Sequence, residues 1–100
     1  MQQPSRTSGL TALTPDLDIS EALRRVVAGQ IGPRKPGVVY STTDGVYEVL
    51  DVTTDRTEAR RILKSRAAQF AITVHDRAAN TIGPIGTAWT GTDRVLKAVA

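Results

Sequence analysis

No cysteine occurs anywhere in the 100-residue chain. That excludes a disulfide framework, a thiolate metal site and cysteine redox chemistry. Histidine is almost as scarce. His75 stands alone, and one imidazole among dispersed carboxylates falls short of the ligand set that zinc demands, so neither a metal nor a cofactor is expected. Aromatic residues make up 4% of the chain, too few for a base-stacking platform. No apolar run approaches the roughly 20 residues needed to cross a bilayer. The opening stretch, Met1 to Ser8, carries no apolar core of a secretory leader, so a cytoplasmic protein without membrane partners is expected.

The motifs of phosphate chemistry are missing as well. Neither G-x-x-x-x-G-K-[ST] nor G-x-G-x-x-G appears. Ile82-Gly83-Pro84-Ile85-Gly86 contains I-G-x-x-G, but a strand precedes it where a nucleic-acid-binding KH loop joins two helices. A glycine-kinked strand or turn is the simpler reading. Pro33-Arg34-Lys35-Pro36 matches P-x-x-P, a polyproline-II ligand shape, and reads more simply as a stiff connection.

What is present describes one small globular domain: 40% apolar residues, 23% charged and a formal net charge of +3. Residues 1–13 read as a disordered or loosely docked tail. Asp18 and Glu21 form a capping box at the start of a first helix, with Leu17 placed to staple onto Ala22. Ile19, Ala22, Leu23, Val26 and Val27 make one apolar stripe on it. Gly29 supplies a left-handed stop. Residues 29–37 form a Gly/Pro linker, so 14–36 read as an amphipathic helix plus linker and 37–100 as the α+β domain.

Inside that domain, Asp44-Gly45 marks a hairpin between Val38–Thr43 and Val46–Val52. A two-residue turn there sets Tyr40 opposite Val49 and Thr42 opposite Tyr47. It puts Val38, Tyr40, Tyr47 and Val49 on the more buried face. Asp55 with Glu58 caps a second helix running to about Arg66, with Ala59, Ile62, Leu63 and Ala67 as its stripe. Phe70, Ile72 and Val74 alternate with Ala71, Thr73 and His75 as a strand. A weaker strand follows at Thr81–Trp89, and Pro84 marks it as an edge or bulge. Thr90 with Asp93 is read as opening a last helix in which Val95, Leu96 and Val99 share a face and Asp93 pairs with Lys97. The expected fold is therefore α+β: an N-terminal helix and linker, then ββα-ββα, with a four-stranded mainly antiparallel sheet and helices packed on one face.

For function, the acids are largely committed. Asp18, Asp55 and Asp93 sit at helix starts and Asp44 in a turn. Glu48, Asp51, Asp76 and His75 remain, and His75 and Asp76, adjacent in a strand, point to opposite faces. An enzyme would need His75 brought to Glu48 or Asp51 across the sheet, and no catalytic centre is expected. The leading expectation is a binding or accessory domain acting by protein–protein contact or homodimerisation through Ile19, Leu23, Val26, Val27 and Trp89. The alternative is a nucleic-acid-binding regulator using Arg56, Arg60, Arg61, Lys64 and Arg66, whose cations could lie along phosphates.

Overall fold

The computed structural model describes residues 15–99, with side chains from residue 20 onward. The tail at 1–13, the Leu17 staple and the side chain of Ile19 lie outside what it describes. The helix start expected at Asp18 is corrected: the helix already begins at Pro15, which puts Asp18 inside it and not at its N-cap.

Helix α1 spans Pro15–Ile31. It runs past Gly29 and stops at Gly32, whose φ of +62° is the left-handed geometry that glycine adopts without a Cβ penalty. The stop expected at Gly29 is therefore corrected. Gly32 ends the helix because the Trp89 ring lies directly over its Cα: a Cβ there would meet Trp89 Cγ at 2.7 Å.

Strand β1 (Val39–Ser41) and strand β2 (Val46–Thr53) form the expected hairpin. Its register is Tyr40 against Tyr47 and Val39 against Glu48, two residues away from a two-residue turn. The loop is longer because Thr42 N donates to Gly45 O at 2.9 Å and Thr42 Oγ1 accepts from Asp44 N at 3.0 Å. A slip of two preserves side-chain parity. Val38, Tyr40 and Val49 accordingly face the core, with Tyr47 half-buried beside them. Leu50 sits where the β2 register shifts between Val49 and Asp51 and is left exposed.

Helix α2 covers only Arg56–Leu63. Asp55 caps it by accepting from Glu58 N at 3.1 Å. It ends three residues short of the expected Arg66, because Lys64 turns left-handed (φ 55°) and donates its amide to Arg60 O. Ala59 is buried, Ile62 and Leu63 are half-buried, and Ala67 is exposed beyond the helix end.

Strands β3 (Ala71–Asp76) and β4 (Thr81–Ile85) form a second hairpin. Asp76 Oδ1 stabilises its turn by accepting from Ala78 N and Ala79 N. β4 is an edge strand, the place in a sheet where a proline such as Pro84 is tolerated. Residues 86–93 then cross to the opposite edge.

The last element corrects the sequence reading. Residues Arg94–Lys97 are not a helix but strand β5, antiparallel to β1. Asp93 accepts from the Thr90 amide at 2.9 Å and so closes a turn instead of capping a helix. The open edge of β1 offers this short segment a ladder, and four residues are too few for a stable helix of their own. The sheet has five strands, ordered β4-β3-β2-β1-β5 and antiparallel throughout. The fold is α+β, with five strands and two helices among the described residues where four strands in a ββα-ββα order were expected.

Ile31, Val38, Tyr40, Val49, Phe70, Ile72 and Val74 form the core, with Val27, Trp89 and Val99 packed at its margin. The C-terminal turn of α1 thus belongs to the core through Ile31. One turn earlier Val27 packs at the core's edge, and no strand or other helix lies along the body of α1 among the described residues. The sequence leaves open whether the N-terminal helix packs on the domain or on a partner; in the structure its C-terminal end is joined to the domain.

Candidate functional site

The most unusual group in the fold is Arg34, the interior of the P-x-x-P stretch. It is 3% exposed and has no carboxylate within ion-pair reach among the described residues. Burying a cation without a partner is costly, and here backbone carbonyls take the partner's place. Nε donates to Ile31 O at 2.9 Å. Nη2 donates to Gln30 O at 2.7 Å and to Thr87 O at 2.8 Å. Gln30 and Ile31 end α1, where unsatisfied carbonyls gather negative partial charge that a guanidinium complements. The guanidinium also lies over the rings of Tyr40 (5.6 Å) and Trp89 (5.8 Å), and those two rings meet at 5.7 Å. Burial pushes the Tyr40 phenol up from its ordinary value, although the neighbouring guanidinium pulls the other way. Arg34 is thus a pin: it joins the end of α1, the 86–93 crossing and the sheet. The P-x-x-P stretch has its central arginine turned inward and does not display a ligand.

Trp89 belongs to the same pin. Its amide donates to Gln30 O at 2.7 Å, and its half-buried ring covers Gly32 and Tyr40. It anchors the first helix to the sheet.

Held by Val27 and by its last turn, α1 projects as an arm. Leu23 is 42% exposed and Val26 54%; Ala22 is exposed and Val27 half-buried. Three of the stripe residues therefore face solvent while a fourth, Val27, touches the core. Between the arm and the domain lies an open groove of about 600 Å³. Leu23, Val27 and Ile31 form its apolar side, and Thr54, Arg56 and Gln69 its far wall, with Arg24 at the rim. Leu23 is shared by the groove and the outward ridge.

The basic residues do not form one rigid stripe. Arg61 is paired with Glu58, and Arg60 Nε donates to Ala68 O. Lys64 and Arg66 lie past the helix end, and Arg56 faces the groove. Arg56 carries no ion pair among the described residues.

The register does set His75 opposite Glu48. Their side chains are engaged elsewhere: His75 Nε2 is 2.8 Å from Asn80 Oδ1, and Glu48 lies 3.9 Å from Arg77. Neither His75 nor Glu48 lines the groove or the smaller hollow beside Phe70 and Gly86. Among the described residues no three His, Asp or Glu side chains converge, and no helix is long and apolar enough to cross a membrane.

Arg34 and the groove wall were not foreseen as a site. An arginine between two prolines gives no sign of burial, and Thr54 and Gln69 become a wall only through the angle at which α1 leaves the domain. Comparison with protein families, with curated proteins and with solved structures finds no match to this chain.

Proposed function

We propose that this chain is a small non-catalytic binding module that acts through protein–protein contact made by α1. One observation carries the reading. The arm is rigidly pinned at Ile31 and Arg34, yet its apolar residues Leu23 and Val26 are left in solvent. An amphipathic helix with part of its apolar face uncovered is a typical element of helix-mediated recognition. The reading is non-catalytic because the acids have structural work. Asp55 caps α2, Asp76 and Asp93 close turns, and Glu48 pairs with Arg77.

The test is photo-cross-linking of the full chain in its host cells, with a photoreactive phenylalanine analogue replacing Val26. A discrete protein adduct is expected at position 26, lost when Leu23→Asp is added. Ile82, exposed on the β4 edge, is the control position. The proposal is overturned if position 26 gives no adduct beyond that of position 82, or if the adduct survives Leu23→Asp.

A further inference from the structure

The residues that line the groove beside α1 select its occupant. Leu23, Val27 and Ile31 recur at four-residue spacing, so they form one continuous apolar row along the helix. Eight residues of helix cover about 12 Å, the extended length of an alkyl chain of about ten carbons. Val26 falls outside this row and outside the groove lining. The opposite wall is polar and consists of Thr54, Arg56 and Gln69. None of these three side chains makes a hydrogen bond or ion pair with another described residue. Two arginines line the groove, and no described acid does. Arg24 is already held by Glu21 at 3.0 Å. The acid next to Arg56 in the chain, Asp55, is turned to the Glu58 amide. One guanidinium is therefore left for a guest.

We propose that the groove is a binding site for a small amphipathic carboxylate, its alkyl chain lying along Leu23, Val27 and Ile31 and its carboxylate on Arg56. The volume, about 600 Å³, lies within the range of small-molecule sites. Covering the chain's methylenes against the apolar row supplies affinity. Arg56 supplies orientation, because a planar guanidinium donates to both carboxylate oxygens at once. The Thr54 hydroxyl and the Gln69 amide are further donors on the same wall. A cationic head group would meet two arginines and no acid. A doubly charged phosphate would call for the second guanidinium, which Glu21 already holds. The two walls are set before any guest arrives, since Arg34 and Trp89 fix the end of α1 to the domain. Little ordering cost therefore falls on binding. This site is separate from the outward ridge at Val26; only Leu23 is common to both.

The test is titration of the isotope-labelled full chain with sodium decanoate, kept below its micelle-forming concentration and followed by amide chemical shifts. Saturable shifts are expected at Leu23, Val27, Thr54 and Gln69, with exposed Ile82 on the β4 edge unmoved. Octanoate, two methylenes shorter, should bind about fourfold more weakly, since each half-covered methylene is worth about twofold. Decyltrimethylammonium, of equal chain and opposite charge, should give no saturable shift at these residues. Arg56→Gln should weaken decanoate binding about fivefold, the upper end for a solvent-exposed ion pair. Arg56→Lys should weaken it less, because the charge remains while the fork is lost. Arg56 is exposed, so both variants should keep the parent's amide spectrum away from the groove. A decanoate titration without saturable shifts at the groove overturns the inference. So does equal binding of the cationic probe, or an Arg56→Gln variant that binds as the parent does. The two proposals fail separately: a chain that binds decanoate but gives no adduct at position 26 keeps this site and loses docking through α1, and the reverse result does the opposite.

Discussion

Truncating Arg34 tests the pin that turns α1 into an arm. Arg34→Ala removes three hydrogen bonds from a charged donor, to Ile31, Gln30 and Thr87, and the cation's contact with two rings. Hydrogen bonds to charged groups are worth about 1.5–3 kcal/mol each in isolation. Two considerations reduce the sum. The Gln30 and Thr87 contacts are only partly buried, so water can replace them. Removing a buried cation also recovers its desolvation penalty. The net loss expected is about 3 kcal/mol, which lowers the melting temperature of a domain this size by about 12–24 °C. Arg34→Lys keeps the charge, but an ammonium cannot reproduce the planar fork, and about 1–2 kcal/mol should be lost. The assay is urea unfolding followed by tryptophan fluorescence, and the only tryptophan, Trp89, is itself part of the pin. A loss below about 0.5 kcal/mol for Arg34→Ala, the range of an ordinary surface change, would refute the pin.

Other consequences follow from individual residues. Gly32→Ala must hold a left-handed backbone and place a Cβ 2.7 Å from Trp89 Cγ; the strain and overpacking together should cost about 2–4 kcal/mol in thermal unfolding. Lys64→Gly relieves the left-handed C-cap of α2 and should gain up to about 1 kcal/mol by the same measurement. Tyr40 is raised above its reference value of 10.0, chiefly by burial, so above that pH the folded state holds a proton that the unfolded state has released. Its contribution is complete below pH 10 and is lost as the pH climbs from there toward the folded-state value. Urea midpoints between pH 9 and 11 should therefore fall more steeply in the parent than in Tyr40→Phe, and parallel curves would contradict the assignment.

Local signals in the sequence are legible wherever one side chain determines the outcome. Asp55 marks the start of α2 because its carboxylate satisfies a specific amide. The Val38, Tyr40 and Val49 face follows from alternation alone. Hairpin register does not, because Asp44-Gly45 turned out to be part of a longer loop in which Thr42 supplies the extra bonds. Residues 94–97 are as short and apolar as a strand yet sit in a helical spacing with Val99, and only the free edge of β1, a tertiary feature, decides between the two. The same holds for the end of α1: Gly29 and Gly32 are equally able to stop a helix, and the Trp89 ring from 57 residues downstream selects Gly32. The candidate site was half legible. Leu23 and Val26 stand out by periodicity, but the groove beside them depends on an arginine buried against backbone carbonyls, which leaves no pattern in the sequence.

Whether the apolar face of α1 serves docking or the core is decided most directly by the urea midpoint of Val26→Asp at high dilution, where association with any partner contributes little to stability. Docking requires that the variant unfold within about 0.5 kcal/mol of the parent at that dilution, since Val26 touches nothing that folding of a single copy depends on. A loss of about 2 kcal/mol or more at the same dilution, the scale of a buried apolar side chain, would make Val26 part of the core and contradict the reading of α1 as a docking arm.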